Sequence, residues 1–317
     1  MAGIHSLLAN VYRSAVAVLS GKGYVGPGMI ANGYASARID ALTYVTETSA
    51  LLGSNFGANL HMAASVQSST TGYTTGFFIA PNNNVSDLRI STTNFATDAL
   101  GVLGINLTAD RPRAFGMVAS TAGYIAGGIP YYTTPGYTKI TYATNTLSES
   151  ATIVWNLEER SQASNSSLAG YMRGYGSDTF KSAKFTFSTE TKTLLGFGFA
   201  GQQDGVSAYN SATIGYFAGG ITGASPSTQQ NVLQGVDFST DTQRTLSALM
   251  SLAKGLMGGH NSTQKGYISG GLQTTTAAMY STIEAMSFTT ETFSTLSANI
   301  GVARYNFMDN YQSGGMP

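Results

Sequence analysis

Apolar residues in this chain do not recur at helical spacing; they fall in short runs bounded by glycine or by clusters of Ser, Thr and Asn. Residues 123–147, GYIAGGIPYYTTPGYTKITYATNTL, show the pattern in full: an apolar segment ending in Gly127-Gly128, a polar loop, and a segment alternating around Ile140 and Tyr142 that runs into a Thr-rich turn. A Gly-Tyr pair after a small or polar turn opens six such units, at Gly23, Gly72, Gly123, Gly170, Gly215 and Gly266. Subtracting neighbouring numbers gives spacings of 49, 51, 47, 45 and 51 residues. Strand-like patterning with a period of about 40–50 residues predicts propeller blades of four strands each.

Two further anchors subdivide the unit. An aromatic followed two positions later by Thr recurs as Tyr44/Thr46, Phe95/Thr97, Tyr142/Thr144, Phe187/Thr189, Phe238/Thr240 and Phe288/Thr290. The turns that follow read TET, TDA, TNT, TET, TDT and TET, whose central acid or amide suits a tight hairpin by bonding the nearby backbone. The leucine after each turn (Leu51, Leu100, Leu147, Leu194, Leu246, Leu296) predicts a return strand facing the core. Ten residues before each Gly-Tyr stand Arg13, Met62, Arg113, Arg160, Gly205 and Leu256, each followed by a small-residue run that predicts a strand near a crowded axis.

The expected fold is therefore all-β: a six-bladed propeller over residues 13–303, four antiparallel strands per blade, with an N-terminal arm at 1–12. Arg304 lies ten residues before Gly314, as Arg13 lies before Gly23, so residues 304–317 read as a seventh first strand or an arm. Two terminal segments thus compete for one place in the first blade, and one of them is expected to close the ring and remove its open edges.

Composition narrows the function. Lys plus Arg and Asp plus Glu number 16 each, net charge is zero, and only 10% of the 317 residues are charged, against about 25% in ordinary soluble domains. That balance gives no support to nucleic-acid binding. No apolar run reaches the ~20 residues that span a bilayer, and the start lacks a signal-peptide pattern, so the expectation is a cytoplasmically made chain without membrane insertion. With no cysteine, thiolate catalysis and Cys-ligated zinc are excluded. His5, His61 and His260 show no ligand spacing, and no calcium-loop or Walker motif occurs, so neither metal nor cofactor is expected. Asp110-Arg111 and Glu158-Glu159-Arg160 read as salt-bridged support between blades.

Up-and-down strands would put the loops after GYxxGG on one face: 80–87, 129–138 and 221–234, rich in Asn, Gln, Ser and Tyr. Such side chains combine contact area with adaptable hydrogen bonding. Asn82, Asn83, Tyr131, Tyr132, Tyr137 and Gln229 are the candidate ligand contacts.

The segments YIAGG, TYATNT and the EER ending at Arg160, like YISGG, SFTTET and the VAR ending at Arg304, resemble the kelch motif. Gly-Gly is complete only at Gly127-Gly128, Gly219-Gly220 and Gly270-Gly271, and Trp155 is the sole tryptophan. The combination of GYxxGG, FxTxT, abundant Ser and Thr, no Cys and low charge looks like the kelch-like propeller repeats of bacteriophage virion proteins, tail fibres above all. That resemblance implies a non-enzymatic virion protein, most simply a tail-fibre or tail-tip component that binds a host-surface glycan or protein receptor. Its implied partners are other virion proteins and further copies of itself. The alternatives are a decoration or connector protein that touches only virion subunits, and a glycan-processing propeller enzyme.

Overall fold

The computed structural model describes residues 21–30, 35–53, 55–56, 60–61, 63–79, 86–109, 111–128, 136–151, 162–173, 182–198, 205–221, 229–273, 275–305 and 311–312. Among them there is no helix, and six four-stranded antiparallel sheets form the blades of a propeller. Blade 3 runs, innermost to outermost, Ala114–Val118, Ala122–Gly127, Tyr137–Thr141 and Thr146–Ser150. Blades 2, 4, 5 and 6 follow the same order, their GY strands being Thr71–Thr75, Ala169–Arg173, Ile214–Ala218 and Lys265–Ser269.

Blade 1 differs in the source of its first strand. Its GY strand, Lys22–Val25, pairs on the outside with Asp40–Thr43 and on the inside with Tyr311–Gln312, through Gly23↔Gln312 and Tyr24↔Tyr311. The C-terminal segment therefore supplies the innermost strand and closes the ring. Arg304 does not hold the place expected for it. Its carbonyl accepts from Gly271, as that of Lys254 accepts from Gly220, so it belongs with Lys254 and not with the position ten residues before Gly-Tyr.

That position has a backbone role. At the three of these positions that are described, Arg113, Gly205 and Leu256, φ is positive (63°, 61° and 58°), so a left-handed turn is their shared feature whatever the side chain. The Gly-Gly pairs serve the same geometry more strictly: Gly270 and Gly271 have φ of 69° and 115°, and a Cβ on Gly270 would stand 2.5 Å from the Arg304 carbonyl. At the other end of that strand, a Cβ on Gly266 would stand 2.1 Å from the Tyr209 ring of the preceding blade. Glycine is thus the residue on which the neighbouring blade rests.

The core is not one body. Its buried apolar residues form six clusters, each spanning two adjacent blades: Tyr24 with Phe77, Val66 with Ile125, Phe115 with Phe185, Tyr171 with Phe217, Tyr216 with Met257, and Tyr267 with Leu42. Outermost strands contribute less than expected. Leu100, Leu147, Leu246 and Leu296 lie partly buried against these clusters, but Leu51 and Leu194 are 49% and 45% exposed, because the fourth strand faces solvent on its outer edge.

Candidate functional site

Loops after the GY strands build one face. Several fold into short hairpins of their own: Gly28–Met29 with Ala35–Ser36, Phe77–Ile79 with Ser86–Asp87, and Leu272–Gln273 with Ala278–Met279. Neighbouring loops are tied together, since Met29 bridges Tyr305, Leu272 bridges Gly255, and the Thr275 hydroxyl lies 3.4 Å from Gln229 Oε1. Asn82, Asn83, Tyr131 and Tyr132 lie outside the described residues. Gln229 is buried at the base of its loop. Tyr137 is no loop residue: it opens the third strand of blade 3, is 2% exposed, and packs edge-on against Tyr124 and Phe185 with its hydroxyl on Glu190. It supports a seam and presents no surface.

Beneath this face the connectors between blades bury three cations. Arg304 Nη2 meets Asp40 at 2.7 Å and donates to the Val25 carbonyl, with Nε donating to that of Gly26. Lys254 Nζ stands 3.0 Å from Glu284, and Arg111 bonds Thr138 and the Gly136 carbonyl beside Glu149. Asp40, Thr138 and Glu284 occupy one register position, two residues before the partner of the GY glycine. Each cation thus anchors the blade it leads into, and the Arg111 bonds to Thr138 and to the Gly136 carbonyl lie within blade 3. Burial pulls the Arg304 and Lys254 cations below their ordinary values, and the facing carboxylates oppose the shift.

The opposite face carries the TxT hairpins and the turns before Gly-Tyr. In four of those turns Ser68, Ser166, Ser211 and Ser262 accept the backbone N–H three residues on, at 3.0–3.1 Å. The TxT turns work differently. Their central residues, Glu47, Asp98, Asn145, Glu190, Asp241 and Glu291, all have positive φ between 50° and 56°. In five of them the flanking threonine hydroxyls bond each other at 2.7–2.8 Å, which clamps this left-handed residue in place.

So held, the central side chain reaches the neighbouring blade. Tyr24 bonds Asp98, Tyr73 bonds Asn145, Tyr124 bonds Glu190, Tyr171 bonds Asp241, Tyr216 bonds Glu291, and Tyr267 of the last blade bonds Glu47 of the first. The same six tyrosine rings stack on Phe95, Tyr142, Phe187, Phe238, Phe288 and Tyr44, at centroid distances of 4.8–5.6 Å. The Gly-Tyr and aromatic-Thr anchors of the sequence are thus two halves of one contact across a seam. Burial first, and the acceptor carboxylate second, raise the Tyr216 hydroxyl to about 12, which keeps it a donor. His260 lines the last seam between the Tyr44 hydroxyl and Ser269, and burial pushes it down to about 3, so it stays neutral.

A cation completes each seam whose acceptor is an acid. Lys22, Lys139, Lys184, Arg244 and Lys265 meet Asp98, Glu190, Asp241, Glu291 and Glu47 at 2.5–2.8 Å. The seam between blades 2 and 3, whose acceptor is the neutral Asn145, has no such cation among the described residues. A cleft of about 340 Å³ opens there, lined by Thr71, Tyr73, Thr92, Asn94, Leu103 and Asn145 among others. Reading the turn residues as local hairpin formers missed this pattern; its signal in the sequence is that an Asn replaces the acid only in the seam that lacks a Lys or Arg.

Glu190 gives the seams a pH signature. Burial alone would raise its pKa, but bonds from Lys139, Tyr137 and Tyr124 outweigh that and hold it below the usual carboxylate range. Its contribution is therefore present above the unfolded value of about 4.3 and is lost as pH falls through the lower folded value. Thermal midpoints of wild type and Glu190→Gln should converge as pH falls below the unfolded carboxylate value of about 4.3; curves that stay parallel would contradict this.

Among the described residues no group of three or more His, Cys, Asp or Glu is placed to hold a metal ion. No protein-family model matches the chain, and no significant match emerges among curated proteins.

Proposed function

We propose that this propeller is a non-enzymatic structural protein of a bacteriophage virion, a tail-fibre or tail-tip component that holds recognition loops against the host surface. The observation that carries the binding part is the division of labour along the repeat. Its recurring side chains, the GY tyrosine, the following aromatic and the turn acid, are spent on seams, which leaves the chemistry that varies between repeats to the sequence after the GY strands, where the loops at 28–36 and 272–279 form hairpins of their own. Loops on a rigid scaffold are the usual carriers of recognition. The virion assignment comes from the resemblance of the repeat.

Purified protein, fluorescently labelled, should bind intact host cells and selected glycans on an array, and antibody to it should decorate the distal tail in electron micrographs of the particle. A protein silent on cells and array, and found on the head, would favour the decoration reading. Exposed apolar residues on the outermost strands, Val102 at 57% and Leu249 at 55%, are the feature that supports that second reading, since they offer contact area to neighbouring subunits. Release of reducing sugar from host envelope material, abolished by changing one carboxylate, would instead establish a glycan-processing enzyme.

A further inference from the structure

We propose that the cleft between blades 2 and 3 binds a neutral, hydroxyl-rich ligand, a single sugar unit of a surface glycan. The proposal rests on the surface-binding function above and places one contact on the hairpin face, away from the variable loops.

The five other seams show what is missing here. Their cations come from three register positions. Lys22 and Lys265 precede the GY glycine, Lys139 and Lys184 pair with the GY tyrosine from the third strand, and Arg244 lies one strand further out, opposite Gly235. In blade 2 those three positions hold Thr71, Thr92 and Gly101, and all three line the cleft. Every route by which a long cationic side chain enters a seam is closed to blade 2, and the space such a chain would take is open.

The chemistry of the lining points to the ligand. Thr71 and Thr92 contribute hydroxyls, Asn94 and Asn145 contribute amides, Leu100 and Leu103 contribute apolar surface, and none of the lining residues is charged. Threonine hydroxyls and carboxamides both donate and accept, which suits a ring of hydroxyl groups. With no fixed charge, an anion or a cation would lose its hydration without a partner, whereas a neutral polyol exchanges hydrogen bonds one for one. A volume of about 340 Å³ falls within the range of small-molecule sites. The wall is ordered before any ligand arrives, because the Tyr73 hydroxyl donates to Asn145 at 2.7 Å and its ring stacks on Tyr142.

The test uses the full chain and four neutral probes, galactose, glucose, mannose and N-acetylglucosamine, followed by saturation-transfer NMR and titration calorimetry. Thr71→Lys with Asn145→Asp rebuilds in this seam the Lys22–Asp98 pair of its neighbour, so it fills the cleft with a contact the fold already accepts. Should that variant fail to fold, Thr92→Lys with Asn145→Glu rebuilds the Lys139–Glu190 pair instead. At least one probe should bind the wild type and lose tenfold or more in affinity in the rebuilt variant, with no fall in the thermal midpoint. No binding by any probe, or binding that survives the rebuilt seam, overturns the proposal. Cell binding separates the two levels. Wild type and rebuilt variant that attach to host cells equally remove the cleft and leave the surface-binding function standing. A sugar lost from the rebuilt variant, with no cell binding by either, does the reverse.

Discussion

Arg304→Ala is expected to destabilise the protein by about 3–5 kcal/mol, the range for removing one partner of a buried ion pair. The guanidinium is fully buried and Asp40 is 1% exposed, so the variant leaves a carboxylate in the interior with its strongest partner gone. It also strips a donor from each of the Val25 and Gly26 carbonyls. The location magnifies the effect, because Arg304 leads into the strand that closes the ring. Arg304→Met combined with Asp40→Leu removes both charges and should recover part of the loss, though not all, since the two carbonyls still lack their donor. Denaturant midpoints measured at unchanged slope check both variants. An alanine variant within 1 kcal/mol of wild type would show that the pair does not hold blade 1.

Tyr171→Ala and Tyr171→Phe should separate the two halves of a seam. The ring stacks on Phe238 at 4.8 Å and fills a cluster with Leu195, Val206 and Phe217, so its removal should cost about 3–5 kcal/mol, as for other large aromatic truncations. Phenylalanine keeps the ring and loses the hydroxyl's 2.7 Å bond to Asp241, whose side chain is 37% exposed and still faces Lys184, together with its longer 3.4 Å bond to the Phe238 carbonyl. That change should cost about 1 kcal/mol. Equal losses in the two variants would mean that the hydroxyl and not the stack holds the seam. Thermal or denaturant unfolding of purified protein measures the difference directly.

The architecture was legible in the sequence because the repeat is a repeat of strands: six Gly-Tyr pairs at near-constant spacing locate six second strands, and the aromatic-Thr anchors run into the third strands' turns. What could not be read was the partner of each anchor. Tyr124 and Phe187 are 63 residues apart by subtraction, and only the packing of blade 3 against blade 4 brings them to 5.4 Å. The same limit hid the role of the turn acids, because a residue that caps its own hairpin and one that reaches the next blade look alike in a list of TET and TDT triplets. Tyr137 failed as a ligand contact for a related reason: it follows Gly136 at the end of a Tyr-rich loop, yet strand pairing with Ala126 turns its side chain inward. Loop identity was visible in composition; the point where the loop becomes strand was not.

The cyclic offset of the seams has a consequence for how the chain is made. Five tyrosine bonds join residues 66–75 apart, so each can form once the next blade has left the ribosome. The sixth joins Tyr267 to Glu47, 220 residues apart, and the same seam holds the His260–Tyr44 bond and lies beside the closing strand. Until Tyr267 and then Tyr311–Gln312 emerge, Glu47 must wait for its tyrosine and the Lys22–Val25 strand for its inner partner. A nascent chain of this kind is an open arc whose two ends are complementary, and at high local concentration the end of one copy can satisfy the beginning of another.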